Sequence, residues 1–310
     1  MWHLRVSRLL AVCEVSVVDL AFFASRSGAT VAPMSPNQTV LAKLTTAIGR
    51  RITPRVNRRD KQPRRPVFVL GNQKSGTTAI AALLAQCIGE PFISDVLYRN
   101  KLHLKDLLDG TPSLAELVQS HPESFAATVV KDNDFTFLYP SLARAFPEAG
   151  FVFIVRDPRQ NIRSVLNRLK LPGDLDSLTA EQYAHLRKKL PGWHTILTGS
   201  SFGSSTGHYI DVLADRWVRA NQVYLSASDR MTVVRHEDFD AAKRPVIERL
   251  ATELGFSVAN DISGSQDRQF QPLGDRTITP EAFFGPQNLE RVERRCATLM
   301  PSFGYTPSRS

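Results

Sequence analysis

Residues 71–78 read Gly71-Asn72-Gln73-Lys74-Ser75-Gly76-Thr77-Thr78, a lysine and three hydroxyls between and after two glycines. An apolar run, Val67-Phe68-Val69-Leu70, precedes them, and Thr77-Thr78-Ala79-Ile80-Ala81-Ala82-Leu83-Leu84 follows as the start of a helical pattern. A strand, a glycine-containing loop and a helix N-terminus together make an anion cradle. The N–H groups of a helix's first turn lack intrahelical partners, and the positive end of the helix dipole faces the ligand. A nucleotide-triphosphate loop of the Walker type reads G-x-x-x-x-G-K-[ST]. Gly71 and Gly76 keep that spacing, but Thr77 stands where the lysine belongs, and the lysine is Lys74. The phosphate-binding backbone is kept while the triphosphatase signature is broken.

A second candidate group follows the apolar run Phe151-Val152-Phe153-Ile154-Val155. A continuous β-branched and aromatic run of this length suits a central parallel strand. It ends in Arg156-Asp157-Pro158-Arg159, and Pro158 stands where a helix can begin. Arg156 at the strand's end and Ser164 on the next helix can converge on one anion. Arg suits this role because its planar fork bonds two phosphate oxygens and keeps its charge. Asp157 is open to other readings, a local ion pair or a Walker B aspartate.

Lys74-Ser75-Gly76-Thr77-Thr78 resembles the K-[ST]-G-T-T loop of sulfotransferases that use 3′-phosphoadenosine 5′-phosphosulfate (PAPS), and matches all five positions. Arg156 and Ser164 have the spacing of the Arg and Ser that hold the donor's 3′-phosphate in that family. Thr232 to Phe239 resembles the family's strand and R-[YH]-E-D turn, and the ending up to Gly304-Tyr305 resembles its C-terminal helix and Gly-Tyr. The resemblance covers roughly residues 66–305. It implies an α/β fold, a central parallel sheet with helices on both faces, of the P-loop NTPase-like sulfotransferase kind. It implies transfer of a sulfuryl group from PAPS to an acceptor hydroxyl or amine, leaving PAP, with no metal required. Lys74, Ser75, Gly76, Thr77 and Thr78 would cradle the 5′-phosphosulfate, and Lys74 would also neutralise the charge that develops on the bridging oxygen.

The catalytic base does not carry over. The family's strand motif V-K-T-H stands here as Val130-Lys131-Asp132-Asn133, with Asn133 in the place of the histidine. Lys131 matches the family lysine and is a candidate for holding the acceptor or the sulfuryl oxygens. Asp95, His103 and Asp134 remain as candidate bases. Asp95, close behind the first helix, is preferred, while a histidine has the more suitable ordinary titration range. The acceptor is open between glycan, lipid and small alcohol, with a carbohydrate hydroxyl first by family association. The rival readings are a P-loop kinase and a non-catalytic nucleotide-binding scaffold.

These residues need a scaffold. Strand-like runs at 67–70, 127–130, 151–155 and 232–235 alternate with helical patterns at 77–88, 138–146, 159–169, 209–228, 243–254 and 289–300. That alternation predicts a parallel sheet covered on both faces, with the two phosphate motifs at its carboxyl edge. Residues 170–208, rich in Gly and Pro, read as an insertion near the acceptor site, with Trp193 and His194 as possible substrate contacts. The chain is 310 residues with 42% hydrophobic content and a net charge of +9. Residues 1–66 carry 12 Lys and Arg against 3 Asp and Glu, and the remainder carries 27 of each sign. The charge therefore belongs to a leader over about 1–65, basic, Pro-interrupted and expected to be flexible, and not to the domain. A nucleic-acid partner has no support in the domain's balanced charge. Residues 9–23 are apolar but contain Glu14 and Asp19, so a stable membrane span is not expected there. Whether residues 1–33 are a leader or an extension before Met34 is left open. Asn37-Gln38-Thr39 fits a glycosylation triplet, relevant only in a secretory compartment. Three scattered cysteines, Cys13, Cys87 and Cys296, form no metal or CxxC pattern, and Cys87 and Cys296 sit in apolar helical patterns. A cytoplasmic setting is the expectation.

Overall fold

The computed structural model describes residues 65–203, 207–268 and 277–306, all within one compact unit, Lys61–Ser310. Apart from Arg65, the basic leader lies outside the described residues, as do Cys13, the 9–23 segment and the Asn37 triplet. Five parallel strands form one sheet in the order β2-β3-β1-β4-β5: β1 Val67–Gly71, β2 Phe92–Ser94, β3 Val129–Lys131, β4 Gly150–Val155 and β5 Thr232–Arg235. The central strand β1 pairs Val67 with both Val129 and Gly150. It is buried along its whole length because both sheet faces are covered.

The two faces separate by alternation. Phe68, Leu70, Phe151, Phe153 and Val155 point into one apolar cluster, which also takes in helices α6 (Pro158–Leu169), α9 (Tyr209–Leu225) and α12 (Pro280–Cys296). Val67, Val69, Val152 and Ile154 point the other way, against α1 (Thr77–Ile88) and α11 (Lys243–Glu253). The period-two pattern of each strand thus builds two cores from one sheet. The α/β fold with helices on both faces, expected from the alternation of motifs, is the fold observed.

The elements differ from expectation in several places. The strand expected at 127–130 runs Val129–Lys131, because pairing with Val67–Val69 sets its register. It ends on a lysine whose charge is compensated, as described below. Edge strand β2 was not expected; three half-buried residues carry no readable period. The 170–208 segment holds two helices, α7 (Ala180–Lys189) and α8 (Pro191–Thr198). Thr179 and Gln182 close a capping box on the first, and Leu186 and Leu197 are buried. The last helix starts at Pro280, not 289, and kinks at Gly285, whose φ of 65° and ψ of 169° precede Pro286. Short helices α2 (Val96–Arg99), α3 (Leu104–Leu108) and α4 (Leu114–Ser120) fill the path from β2 to β3, α5 (Tyr139–Ala145) precedes β4, and α10 (His236–Ala241) follows β5.

Candidate active site

The loop between β1 and α1 is built by amides that reach it from two neighbouring elements. Asn133, just past β3, donates through Nδ2 to the Gly71 and Asn72 carbonyls at 2.9 and 3.1 Å and to Thr77 Oγ1 at 3.1 Å. Asn161, in the first turn of α6, donates to the Gln73 carbonyl at 2.9 Å and to Ser75 Oγ at 3.0 Å, while its Oδ1 accepts from Asn72 Nδ2 at 3.0 Å. Both asparagines are buried, and each spends its amide donors on the loop. The Gly71 N–H donates to Thr136 Oγ1 at 2.8 Å. Gly71 is required sterically: at φ 138°, an added Cβ would lie 2.5 Å from the Ile154 carbonyl oxygen, which is backbone and cannot yield.

Lys74 is held in a left-handed conformation, φ 69°, which costs a non-glycine residue roughly 1–3 kcal/mol. Arg156 restrains it: NH1 donates to the Lys74 carbonyl at 2.9 Å. Arg156 is positioned in turn by Trp217, whose Nε1 donates to the Arg156 carbonyl at 2.8 Å. Burial brings the Lys74 ammonium down from 10.5 to about 8, and the like charges of Arg168, Arg156 and Lys131 push the same way.

Ser75 and Thr77 are buried with their hydroxyls engaged by Asn161 and Asn133, whereas Thr78 keeps partial exposure. Gly76, at φ 91°, begins α1, and a Cβ there would approach His236 Cδ2 to 2.4 Å. Ser164 is half-buried on α6, and Arg168 is exposed one turn further along. The i, i+4 spacing puts the two on one helix face. Arg168 is absent from the sequence reading; the Ser164-x-x-x-Arg168 spacing is the signal that would have found it.

The candidate bases are placed differently. Asp95 ends β2 in a left-handed conformation, φ 56°, and its Oδ1 receives Lys131 Nζ at 2.7 Å. The lysine side chain is 5% exposed and the aspartate 50%. This pair is the compensation that lets β3 end on a lysine, and it leaves Asp95 partly open to solvent. His103 is exposed at the N-terminus of α3, and its side chain makes no capping bond. Asp134 is engaged: its Oδ1 accepts from Gln73 Nε2 at 2.9 Å and from Arg216 NH2 at 2.6 Å. Arg216 also donates from Nε to Gln73 Oε1 at 2.8 Å, and its guanidinium lies 4.6 Å from the Phe137 ring centroid. Sequence reasoning missed Arg216, because an arginine within an amphipathic helix ordinarily belongs to the solvated face.

No family model matches the chain, and no curated protein matches it. Solved structures that resemble it include a sulfotransferase from Alicyclobacillus acidocaldarius, 17% identical over 74% of this chain and 95% of that one, with a TM-score of 0.39. A sulfotransferase from Mycobacterium avium is 14% identical over 90% of this chain and 89% of the other, with a TM-score of 0.45. A shikimate kinase from Bacteroides thetaiotaomicron is 14% identical over 62% of this chain and 99% of the other, with a TM-score of 0.36.

Asp157 bears on any metal. It caps α6, accepting from the Arg159 N–H at 2.8 Å, and its carboxylate also takes Arg159 Nε at 3.0 Å and NH2 at 2.6 Å. Glu293 pairs with the same guanidinium at 3.1 Å. The local ion pair is therefore the arrangement found at Asp157. Among the described residues no group of three His, Cys, Asp or Glu side chains could hold a metal ion. Among them, too, no helix is long and apolar enough to cross a membrane. Cys87 and Cys296 are free and buried, and Trp193 packs against the core. His194 stands edge-on to Tyr183 at 6.3 Å.

Proposed function

We propose that this chain transfers a sulfuryl group from PAPS to an acceptor hydroxyl or amine. The observation that carries the reading is the glycine loop at the N-terminus of α1, with Lys74 on it and the Arg156 guanidinium bonded to the Lys74 carbonyl at 2.9 Å. Such an arrangement suits a donor with two separate anionic ends. The Lys74 loop would hold the 5′-phosphosulfate, and Arg156 with Ser164 would hold the 3′-phosphate.

The transfer balances with these groups alone. An acceptor oxygen lone pair forms a new S–O bond. The bond from sulfur to the 5′-phosphate oxygen breaks, its electron pair leaves on PAP, and the acceptor proton passes to a base. Lys74 is the cation for the leaving oxygen. Its charge matters most when that oxygen becomes more negative, so it contributes more in the transition state than in the ground state. Asp95 is the favoured base. Its pairing with Lys131 ties it to a buried cation, while half of its side chain remains open to an acceptor. Lys131 then both orients the base and faces the sulfuryl oxygens.

The kinase reading is the rival. It needs a metal-binding carboxylate after β4, and Asp157 there is already bonded by Arg159. The deciding experiment compares thermal stabilisation by PAP and by ATP–Mg²⁺, followed by transfer from labelled PAPS in EDTA. PAP is expected to stabilise and transfer to survive EDTA. Stabilisation by ATP–Mg²⁺ alone would establish the kinase reading. PAP binding with no transfer to hydroxyl or amine acceptors would leave a binding scaffold.

A further inference from the structure

A cleft of about 340 Å³ lies between α3, the 3-10 turn Ser200–Phe202 and α9, lined by Lys105, Leu108, Asp109, Ser201, Phe202, Gly203 and Arg219. A short chain of contacts joins it to the Lys74 loop. Gln73 of the loop accepts from Arg216, and the Arg216 guanidinium lies 5.4 Å from the Phe202 ring centroid. Arg219 lies 5.2 Å from the same ring. Arg216 and Arg219 stand three residues apart on α9, so their Cβ atoms are separated by about 5–6 Å. One arginine faces the loop and the other faces the cleft, with Phe202 between them.

The charges in the cleft do not cancel. Lys105 is paired with Asp109 one helical turn away. Arg219 is exposed, and no carboxylate lies within salt-bridge distance of it among the described residues. Its neighbour Asp215, one helical turn before it, is paired with Arg295. Leu108, 41% exposed, and the half-buried Phe202 ring supply an apolar wall beside this cation. A neutral, purely polar acceptor would use neither the cation nor the apolar wall. An acceptor with a ring or apolar portion and a fixed negative charge would satisfy both.

We infer that this cleft receives the acceptor, and that the acceptor carries an anionic group, a carboxylate or a sulfate or phosphate ester, held by Arg219 beside an apolar or ring portion on Leu108 and Phe202. The inference rests on the sulfuryl-transfer reading, since it concerns the second substrate of that site. It narrows the acceptor from hydroxyl compounds in general to anionic ones.

The test uses two matched probes, p-nitrophenyl β-D-glucuronide and p-nitrophenyl β-D-glucoside, titrated calorimetrically into the full chain saturated with PAP. The glucuronide is expected to bind about tenfold more tightly, the scale of one charge-assisted contact, with the preference shrinking as salt rises. Arg219→Gln should bring the glucuronide to the level of the glucoside, Arg219→Lys should keep part of the preference, and PAP affinity should stay within about twofold in both. Equal binding of the two glycosides, an unchanged ratio in Arg219→Gln, or no binding of either to the PAP complex would overturn the inference while leaving the donor reading intact. Failure of the unaltered chain to bind PAP would remove the donor reading, and the inference with it.

Discussion

Lys74 combines a left-handed backbone, its carbonyl bonded by Arg156, with an ammonium that burial, and then the nearby charges of Arg168, Arg156 and Lys131, push down. Lys74→Ala should lower kcat by on the order of a hundredfold, the effect of losing one electrostatic stabiliser, and raise the Kd for PAP much less. Single-turnover transfer at saturating PAPS separates the two. Unchanged turnover with lost binding would make Lys74 a binding residue only.

The same lysine sets a pH dependence whose sign can be worked out. Its folded-state value, about 8, lies below its ordinary 10.5, so between these the unfolded chain binds more protons. This group's contribution to stability therefore rises as pH climbs through that window, when the loop sheds an uncomfortable charge. Anion binding should move the other way: PAP affinity should fall above about pH 8, and the fall should vanish in Lys74→Ala. An identical profile in the variant would assign the dependence elsewhere. Arg156→Ala should weaken PAP by about 2–4 kcal/mol but adenosine 5′-phosphosulfate, which lacks the 3′-phosphate, far less. Equal losses measured by calorimetry would remove Arg156 from the 3′-phosphate.

The elements that shape the loop are the end of β3 and the start of α6, each contributing one buried asparagine. Replacing Asn133 by Ala leaves the Gly71 and Asn72 carbonyls without this donor. A loss of about 2–3 kcal/mol in urea unfolding is expected, with weaker PAP binding as the loop loosens. Unchanged stability would mean that water replaces the amide without cost. These elements mark the boundary of what the sequence discloses. The glycine loop, its strand and its helix are contiguous, so the cradle was legible from local pattern. Asn133 was visible only as a departure from a histidine. Its task depends on β3 lying beside β1, a pairing between residues far apart in the chain. Arg216 was illegible for the same reason: in isolation it is one more polar residue on an amphipathic helix. Edge strand β2 was lost to its brevity. Asp95 was noticed as a carboxylate, but its left-handed backbone and its tie to Lys131 are properties of the assembled sheet edge.

At the scale of the molecule, the sheet order puts β4 beside the central strand β1 and leaves the Lys74 loop and Arg156 at neighbouring carboxyl ends. The second of these ends is closed by distant chain. Glu237, just past β5, accepts the Asp157 N–H at 3.0 Å and the Tyr305 hydroxyl at 2.7 Å. The Arg235 guanidinium lies 4.9 Å from the Tyr305 ring centroid. Tyr305→Phe should cost about 1–2 kcal/mol in thermal or urea unfolding, since it leaves a half-buried carboxylate short of one donor. An effect within a few tenths of a kcal/mol would show that Glu237 finds another donor.

The Tyr305–Glu237 contact also has a consequence in time. A nascent chain presents β1, the Lys74 loop, β3 and β4 early, but the partner that completes Glu237 follows it by 68 residues. At ordinary synthesis speeds that separation is on the order of 3–14 s. During that interval the corner beside Arg156 exists without its latch. The corner beside Arg156 would then be among the last parts of the sheet's edge to close, after all five strands have been made.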